Sequence, residues 1–284
     1  MVVEWNEDGH THRSTYALEW LREHAYALNR IAVSPPPNDL SQLEVRAAAL
    51  TQSARLREVC AGVLDWHGAV VVRGAGRDTE AIIDHLVGGG WRVIETHFGR
   101  IEDLRTDNTT NQNTDQLGYT DAPVDLHTDQ PFLDQPPRLQ MLHCMRPADA
   151  GGDNFLVDGH QAARYLRSLD AHAFQLLTTI PVRFHRKQKQ FERLVIAPII
   201  EMRGAAVFRI RSSYFTMAPH HVAFEQMEQW YRAYNRFAAL TRDPRHQYRL
   251  LLQAGDFLLY DNHRMLHART GFCGARWVRG VYFS

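Results

Sequence analysis

A histidine and an aspartate lie two residues apart in the stretch "DLHTDQPFLDQPP" at residues 125–137. In an extended segment, side chains at positions i and i+2 lie on the same side, so His127 and Asp129 can both face one metal ion. His267, in "GDFLLYDNHRMLHART", would complete a set of two histidines and one carboxylate. That set leaves coordination positions open and is typical of non-haem Fe(II) oxygenases. With this many His and Asp residues, about one His-x-Asp is expected by chance, and a turn-capping triplet is the plain alternative.

His263 is the alternative third ligand, because it lies four residues before His267 in the same stretch. It falls in the turn "DNHR", where a histidine is more often a surface group or a group that supports the ligands from outside. We therefore predict that His267, which follows on the next extended segment, binds the metal.

Two arginines follow His267 closely, Arg276 and Arg279 in "RWVRGVYFS". An oxygenase of this type needs two extra electrons, which a 2-oxo acid supplies when it loses CO2. The far carboxylate of that acid needs a fixed cation, and the bidentate fork of arginine suits it. We predict this role for Arg276 and a solvent-facing or substrate-side position for Arg279. An arginine on a strand is otherwise a surface residue.

Composition excludes several classes of protein. Lys+Arg is 32 and Asp+Glu is 32, so the chain lacks the basic excess of proteins that bind nucleic acids or anionic membranes. The N-terminus has no apolar signal core, and no apolar run approaches membrane-spanning length. The three cysteines, Cys60, Cys144 and Cys273, form no C-x-x-C motif and are expected to be buried reduced thiols. A cytoplasmic protein is predicted, with a small-molecule substrate, no nucleic-acid or membrane partner, and a homodimer left open.

The elements that must position these residues are mostly short strands. Apolar, β-branched segments separated by turn signals predict a sandwich or barrel, mainly β, with flanking helices. The predicted strands are "AVVVRG", "WRVIET", "RLQMLHCMRP", "DNFLVDG", "PVRFHRK", "RLVIAPII", "AVFRIRSS", "YRLLLQ", "DFLLYDN" and "RWVRGVYF". Helices are predicted over residues 17–30, 40–68, 78–88, 159–177 and 220–240.

The chain is predicted to be a single domain, 1–284, with a small N-terminal strand-helix arm at 1–33 and a proline-rich linker at 34–39. The arm begins with a two-stranded element over residues 1–16, with "EDGH" as its turn. The stretch 100–125 is rich in Asn, Thr and Asp, and a long polar loop of this kind predicts a lid that closes over a substrate.

Three stretches resemble the γ-butyrobetaine hydroxylase branch of the TauD-type Fe(II)/2-oxoglutarate-dependent dioxygenases. They are "HTDQPFLDQPPRLQMLHCMRPADAGGDNFLVDGH" at 127–160, "GDFLLYDNHRMLHARTGF" at 255–272 and "RWVRGVY" at 276–282. The opening, "VEWNEDGHTHRSTYALEWLREHAY", is similar to the segment at which the catalytic domain of that branch begins. The resemblance covers most of the chain.

The resemblance implies a double-stranded β-helix (jelly roll) with iron on His127, Asp129 and His267 and 2-oxoglutarate on Arg276. Asn154, in "GGDNFLVDG", falls where relatives often carry a hydroxyl residue that helps to hold 2-oxoglutarate, and an amide can donate the same hydrogen bond. The expected cofactors are Fe(II), 2-oxoglutarate as co-substrate and O2, and ascorbate is expected to stimulate turnover. Zinc is not expected, because the sequence lacks the cysteine-rich zinc domain of the animal members.

In that branch an aromatic cage holds a trimethylammonium group by cation–π attraction. The matching positions here are Phe98, Glu102, Tyr119 and Tyr282. The two tyrosines are expected to form one wall of the substrate pocket, whereas Glu102 falls where some relatives have a tryptophan. A carboxylate accepts N–H hydrogen bonds that a trimethylammonium cannot donate, so a substrate with N–H donors is predicted to be preferred.

The leading hypothesis is an Fe(II)/2-oxoglutarate-dependent dioxygenase that hydroxylates, desaturates or cyclises a small aliphatic amine-, betaine- or amino-acid-like substrate. It would consume O2 and release succinate and CO2. The alternative is a non-catalytic jelly-roll protein that binds or senses a metal or a small molecule. The ligand set together with Arg276 favours the enzyme, because a pure binding protein has no use for an arginine that holds a 2-oxo acid.

Overall fold

The computed structural model of the chain describes residues 2–7, 10–17, 39–49, 53–106, 117–218 and 222–284. By its internal contacts the chain divides into two units, Met1–Pro36 and Pro37–Ser284. The boundary falls within the predicted proline-rich segment 34–39. The helix predicted over residues 17–30 lies outside the described residues, except for its first residue. The segment 34–39 also lies outside them, except for its last residue.

The first unit contains an antiparallel hairpin. Strand β1 (Val2–Glu7) pairs with β2 (His10–Thr15), and Val2 lies opposite Thr15. This confirms the two-stranded element predicted for residues 1–16, while the turn at residues 8–9 lies outside the described part.

The second unit is mainly β. Its strands are β3 (Glu44–Arg46), β4 (Ala69–Arg73), β5 (Val93–Ile94), β6 (Glu102–Arg105), β7 (Val124–His127), β8 (Leu139–Arg146), β9 (Ala150–Gly151), β10 (Asn154–Asp158), β11 (Val182–Lys187), β12 (Glu192–Ala197), β13 (Ile200–Arg203), β14 (Ala206–Ile210), β15 (Gln247–Leu250), β16 (Phe257–Asp261), β17 (Met265–Arg269), β18 (Phe272–Cys273) and β19 (Trp277–Phe283). Its described helices are α1 (Ser53–His67), α2 (Thr79–Leu86), α3 (Gly159–Leu169), α4 (Ala171–Thr179) and α5 (Phe224–Arg242). None of these helices has the length and apolar character needed to cross a bilayer.

Two sheets form the centre of this unit. The major sheet has the strand order β3-β4-β16-β8-β19-β5, with β6 also paired to β19, and the minor sheet has the order β15-β10-β17-β7. Buried side chains of both sheets share one core, in which Leu142 and Leu258 of the major sheet are clustered with Leu156 and Leu250 of the minor sheet. The predicted double-stranded β-helix with flanking helices is confirmed.

Both faces of the major sheet are covered, which explains the unbroken apolar run of β4. Val71 belongs to the core between the sheets, whereas Val70 and Val72 pack with α1 and α2 on the outer face. Strands buried on both faces read as continuous apolar segments. A polar residue inside such a strand, such as Gln140 of β8, must therefore find partners within the protein.

The helix predicted over residues 40–68 is wrong in its first part. Among its described residues only Ser53–His67 is α-helical, and Leu40–Gln42 and Ala47–Ala49 are single turns of 3-10 helix. Residues 44–46 form β3, which pairs in parallel with β4. Leu43 is fully buried in the core between the sheets, and Arg73 of β4 donates hydrogen bonds to the carboxylate of Glu44. Tertiary contacts thus override a segment that has good helix formers.

The polar loop predicted over residues 100–125 also contains a strand. Residues 102–105 form β6, which pairs with β19 so that Glu102 lies opposite Gly280. Residues 107–116 lie outside the described part, and Leu117–Tyr119 is a single turn of 3-10 helix. The backbone pairing, which needs no apolar side chains, explains why composition concealed this strand.

The cysteines divide into two classes. Cys60 and Cys144 are buried, whereas Cys273 is exposed, so the expectation of buried thiols is corrected for Cys273. The remaining predicted strands, and the helices predicted near 78–88, 159–177 and 220–240, coincide with elements of the structure.

Candidate active site

The two histidines of the predicted metal site meet across the minor sheet. His127 is the last residue of β7 and pairs with His267 of β17. Asp129 follows two residues later, with Oδ1 3.2 Å from Nε2 of His127 and 3.6 Å from Nε2 of His267. One ligand atom from each of the three residues lies within 4.8 Å of the others. The geometry brings together the three residues that the sequence singled out.

The protonation of the two imidazoles suits a metal. Nδ1 of His127 lies 2.8 Å from the carbonyl oxygen of Asp125, to which it can only donate, and this leaves the Nε2 lone pair available. Burial, followed by the repulsion of His127, lowers the pKa of His267 to about 3, so its ring is neutral at pH 7. Burial alone would raise the pKa of Asp129, but the two adjacent imidazoles and the hydrogen bond that Tyr282 donates hold this pKa well below its usual range. Two imidazoles and one carboxylate match the donor set for Fe(II).

Asn262 fixes the backbone of Asp129. Its Oδ1 accepts from the Asp129 amide at 2.7 Å, and its Nδ2 donates to the carbonyl oxygens of Asp129 and Pro137, each at 3.0 Å. Asn262 is 1% exposed, so these bonds are shielded from water. The backbone that carries the Asp129 carboxylate is therefore held in place before a metal binds.

A chain of hydrogen bonds holds the carboxylate of Asp129 from the side of the major sheet. The hydroxyl of Tyr282 donates to Oδ2 of Asp129 at 2.7 Å, and Nε2 of Gln140 donates to the Tyr282 oxygen at 3.1 Å. The hydroxyl of Tyr260 donates in turn to Oε1 of Gln140. Burial, followed by the charge of Asp129, raises the pKa of both tyrosines, so both hydroxyls remain protonated donors. Because β16, β8 and β19 are neighbours, this relay of Tyr260, Gln140 and Tyr282 crosses three strands.

One cavity opens beside these groups. Its lining comprises Phe98, Glu102, Leu104, Leu117, Gly118, Val124, His127, Thr128, Asp129, Gln130, Pro131, Phe132, Gln140, Leu142, Asn154, Arg186, Phe215, His267, Ala268, Arg269, Arg276 and Tyr282. All the residues predicted for metal and 2-oxoglutarate are therefore in contact with one space.

A buried guanidinium faces this cavity. Arg276 is 9% exposed, and no described residue accepts a hydrogen bond from its side chain. Burial lowers its pKa to about 10, so it remains a cation at pH 7. Asn154 of β10 is 5% exposed and lines the same cavity. A buried cation without a protein acceptor matches a carboxylate ligand, as 2-oxoglutarate would provide.

The alternatives considered for these roles lie elsewhere. Nε2 of His263 donates to the carbonyl oxygen of Pro136 at 3.0 Å, outside the cavity. Arg279 donates to Asp103 at 3.1 Å and to Thr79 at 3.2 Å, and it does not line the cavity either. The placement of both residues agrees with the choice of His267 and Arg276.

The residues predicted for the substrate are only partly on the cavity wall. Phe98, Glu102 and Tyr282 line it. Tyr119 does not appear among the described lining residues, which differs from the prediction that it forms a wall with Tyr282. It is 2% exposed and its hydroxyl donates to Oε1 of Glu102 at 3.1 Å, so it lies behind that carboxylate and supports it.

Several lining or supporting residues escaped sequence reasoning. They are Gln130, Gln140, Arg186, Phe215, Asn262 and Arg269. Gln140 carried a usable signal, because it is a polar residue inside the apolar strand "RLQMLHC". The others stand in polar or mixed segments, where residue type alone does not separate a site residue from a surface residue.

Known proteins resemble the chain over most of its length. The family model "Taurine catabolism dioxygenase TauD, TfdA family" matches residues 33–282. The chain is 31% identical to the γ-butyrobetaine dioxygenase of Pseudomonas sp. (strain AK-1), over 99% of this chain and 75% of that protein. It is 24% identical to the mitochondrial trimethyllysine dioxygenase of Bos taurus, over 98% of this chain and 68% of that protein. The solved structure of a taurine dioxygenase from Burkholderia xenovorans superposes with a TM-score of 0.61, at 13% identity over 80% of each chain.

Proposed function

This chain belongs to the TauD, TfdA family of dioxygenases, and we propose that it oxidises a small aliphatic amine-, betaine- or amino-acid-like molecule at His127, Asp129 and His267. It is an Fe(II)/2-oxoglutarate-dependent dioxygenase, which consumes O2 and converts 2-oxoglutarate to succinate and CO2. Relatives named γ-butyrobetaine dioxygenase and trimethyllysine dioxygenase support a small substrate with a charged nitrogen. Hydroxylation of a C–H bond is the default outcome, and desaturation or ring closure would use the same site.

In this proposal each group has one task. His127, Asp129 and His267 would hold Fe(II) from one side, and Arg276 with Asn154 would hold the distal carboxylate of 2-oxoglutarate. When bound, iron and 2-oxoglutarate together supply the O2-dependent oxidation of the substrate. Asn262 and Tyr282 keep Asp129 in its liganding orientation.

The observation that carries the proposal is the shared cavity. His127 and His267 are on strands of the minor sheet and Arg276 directly precedes β19 of the major sheet, yet all three line the same space. A protein that only binds a metal needs the histidines but not the arginine.

The proposal is tested by mixing the protein with Fe(II) and 2-oxoglutarate without O2. A weak visible charge-transfer band is expected, and a panel of small amines, betaines and amino acids should then release succinate in air. His267→Ala is expected to abolish Fe(II) binding, the band and turnover, because it removes one ligand. His263→Ala is the matched control and should keep all three. Normal Fe(II) binding and turnover in His267→Ala would refute the assignment.

A further inference from the structure

Gln130 is a buried side chain with unmet hydrogen-bonding capacity. It is 5% exposed, it lines the cavity, and neither Nε2 nor Oε1 has a partner among the described residues. An amide that loses water without gaining a partner destabilises the folded state. Such a group in a native protein calls for an explanation, and a ligand in the adjoining cavity is the simplest one.

The backbone of Gln130 is strained as well. Its φ is 52°, and no other non-glycine residue of the described ranges has a positive φ. The next residue is Pro131, and a residue before proline favours the extended or polyproline region instead. A non-glycine residue in the left-handed region persists only where its surroundings enforce it, which happens most often at functional sites.

The surroundings of Gln130 do enforce this conformation. On one side, Thr128 exchanges hydrogen bonds with Ser212, with the Thr128 amide 2.7 Å from the Ser212 oxygen. On the other side, Arg211 donates to the carbonyl oxygens of Pro131 and Leu133, each at 2.6 Å. The segment is thus fixed at both ends, and the amide of Gln130 is set in place before a ligand binds.

Gln130 lies two residues before an aromatic part of the cavity lining. Phe132, two residues on, lies 6.5 Å from the ring of His97, which also touches Phe98 at 3.8 Å. Phe98 and Phe132 therefore form one aromatic wall of the cavity next to Gln130. Asn154 is the first residue of β10 and Arg276 directly precedes β19, and in the proposed function these two residues already account for the distal carboxylate of 2-oxoglutarate. The ligand of the Gln130 amide is for this reason the prime substrate.

We propose that the amide of Gln130 binds a substrate group that presents one hydrogen-bond acceptor and one donor side by side. The class that fits is an α-amino acid, whose carboxylate would accept from Nε2 and whose ammonium would donate to Oε1. A primary carboxamide offers the same pair of atoms. This inference rests on the proposed function and narrows its substrate from amines and betaines in general to molecules with this two-point group.

The test compares the wild-type protein with Gln130→Leu, which keeps the side-chain bulk and removes the amide. The probes are the standard L-α-amino acids, added anaerobically to protein with Fe(II) and 2-oxoglutarate, with ligand-induced stabilisation as the readout. Analogues of each binder that lack either the ammonium or the carboxylate, and the corresponding carboxamide, complete the panel. We expect Gln130→Leu to weaken binding of the two-point ligand by about tenfold or more.

A second readout separates substrate binding from a merely structural role. Because the amide has no partner among the described residues, Gln130→Leu should raise the ligand-free melting temperature. Gln135→Leu, which changes an exposed glutamine of the same loop outside the cavity, should leave substrate binding unchanged. A lowered melting temperature, unaltered binding in Gln130→Leu, or no α-amino acid or carboxamide binder in the wild type would each overturn the inference.

The proposed function itself is judged separately, by the visible band and by 2-oxoglutarate affinity. If the wild type forms the band and Gln130→Leu loses affinity for 2-oxoglutarate rather than for the probe, the amide serves the co-substrate and the inference fails while the function stands. If the wild type binds neither iron nor 2-oxoglutarate, the proposed function fails first.

Discussion

Arg276 and Arg279 lie three residues apart in sequence, but their guanidinium groups make different contacts. Arg276 faces the cavity, whereas Arg279 is bound to Asp103 and Thr79. Losing one partner of a buried charge pair costs about 2 kcal/mol or more, which corresponds to roughly 30-fold in affinity. We expect Arg276→Ala to raise the Kd for 2-oxoglutarate by about that factor or more, measured by titration of the Fe(II) complex without O2. Arg279→Ala is the control, and a larger effect there would show that the register of the last strand has been misassigned.

The position of Glu102 predicts which methylation state of the substrate nitrogen the enzyme prefers. It is 4% exposed, it lines the cavity, and it accepts from Tyr119. A carboxylate can accept further hydrogen bonds from an ammonium that carries N–H groups, but a trimethylammonium has none to donate. We expect kcat/KM to fall across an N-methylation series of a short amino acid or amine that the enzyme oxidises, from the primary ammonium to the trimethylammonium, with the largest drop at the last step.

Glu102→Gln should flatten that series, because hydrogen bonds to a charged acceptor are worth about 1.5–3 kcal/mol. Asp103→Asn is the matched control, since Asp103 is the next residue on β6 and is bound to Arg279 outside the cavity. A preference for the trimethyl compound that persists in Glu102→Gln would rule out this role for Glu102.

At the scale of elements, three neighbouring strands of the major sheet act on one carboxylate through the Tyr260, Gln140 and Tyr282 relay. Gln140→Leu would leave two buried hydroxyl groups with one partner fewer. An unmet buried polar group costs about 1–3 kcal/mol, so the free energy of unfolding should fall by roughly that amount. Fe(II) affinity should fall as well, since Asp129 loses part of its support.

Denaturant unfolding and Fe(II) titration measure the two effects. Met141→Leu provides the control, because Met141 is the next residue of β8 and packs on the outer face of the sheet. A volume-conserving change of this kind costs less than about 1.5 kcal/mol and should leave metal affinity intact. Equal Fe(II) affinity in Gln140→Leu and the wild type would show that the relay does not orient Asp129.

Sequence reasoning succeeded for elements whose own residues determine them. The mostly apolar segments of β4, β8, β10 and β16 reflect burial in the core, so the existence of these strands could be predicted. Strands β3 and β6 could not, because they are held by backbone pairing to β4 and β19 and carry few apolar side chains. Pairing partners distant in sequence leave no local signal.

The same distinction holds for the candidate site. The metal-binding and co-substrate roles of the histidines, the aspartate and the arginine could be predicted, because few roles suit these residue types at this spacing. The roles of Gln130 and Asn262 could not, since an amide is equally common on surfaces and only the fold shows what surrounds it. Tyr119 illustrates the intermediate case, in which the residue was selected but its contact was Glu102 rather than the cavity.

At the scale of the whole molecule, cysteine reactivity reports on the two cores. Burial raises the pKa of the Cys60 thiol to about 12 and that of Cys144 to about 11. Cys60 is on the inner face of α1, in the core between this helix and the major sheet, and Cys144 lies between the two sheets, so each thiol needs a different core to open. With a thiol-specific disulfide reagent at pH 8, we expect one fast reaction at the exposed Cys273 and two slow ones. Cys273→Ser should remove only the fast phase, and a second fast thiol would contradict this packing.

The position of β19 has a consequence for biosynthesis. This strand is the last of the described chain, yet it lies inside the major sheet between β8 and the edge strands β5 and β6. While the ribosome still holds it, β8 has an unpaired edge of the kind that promotes association between nascent chains. Arg276, directly before β19, and Tyr282, within β19, are synthesised together with this strand. A message truncated before the codon for Arg276 would therefore yield a chain that lacks the co-substrate arginine, exposes the edge of β8 and becomes a substrate for chaperones and proteases.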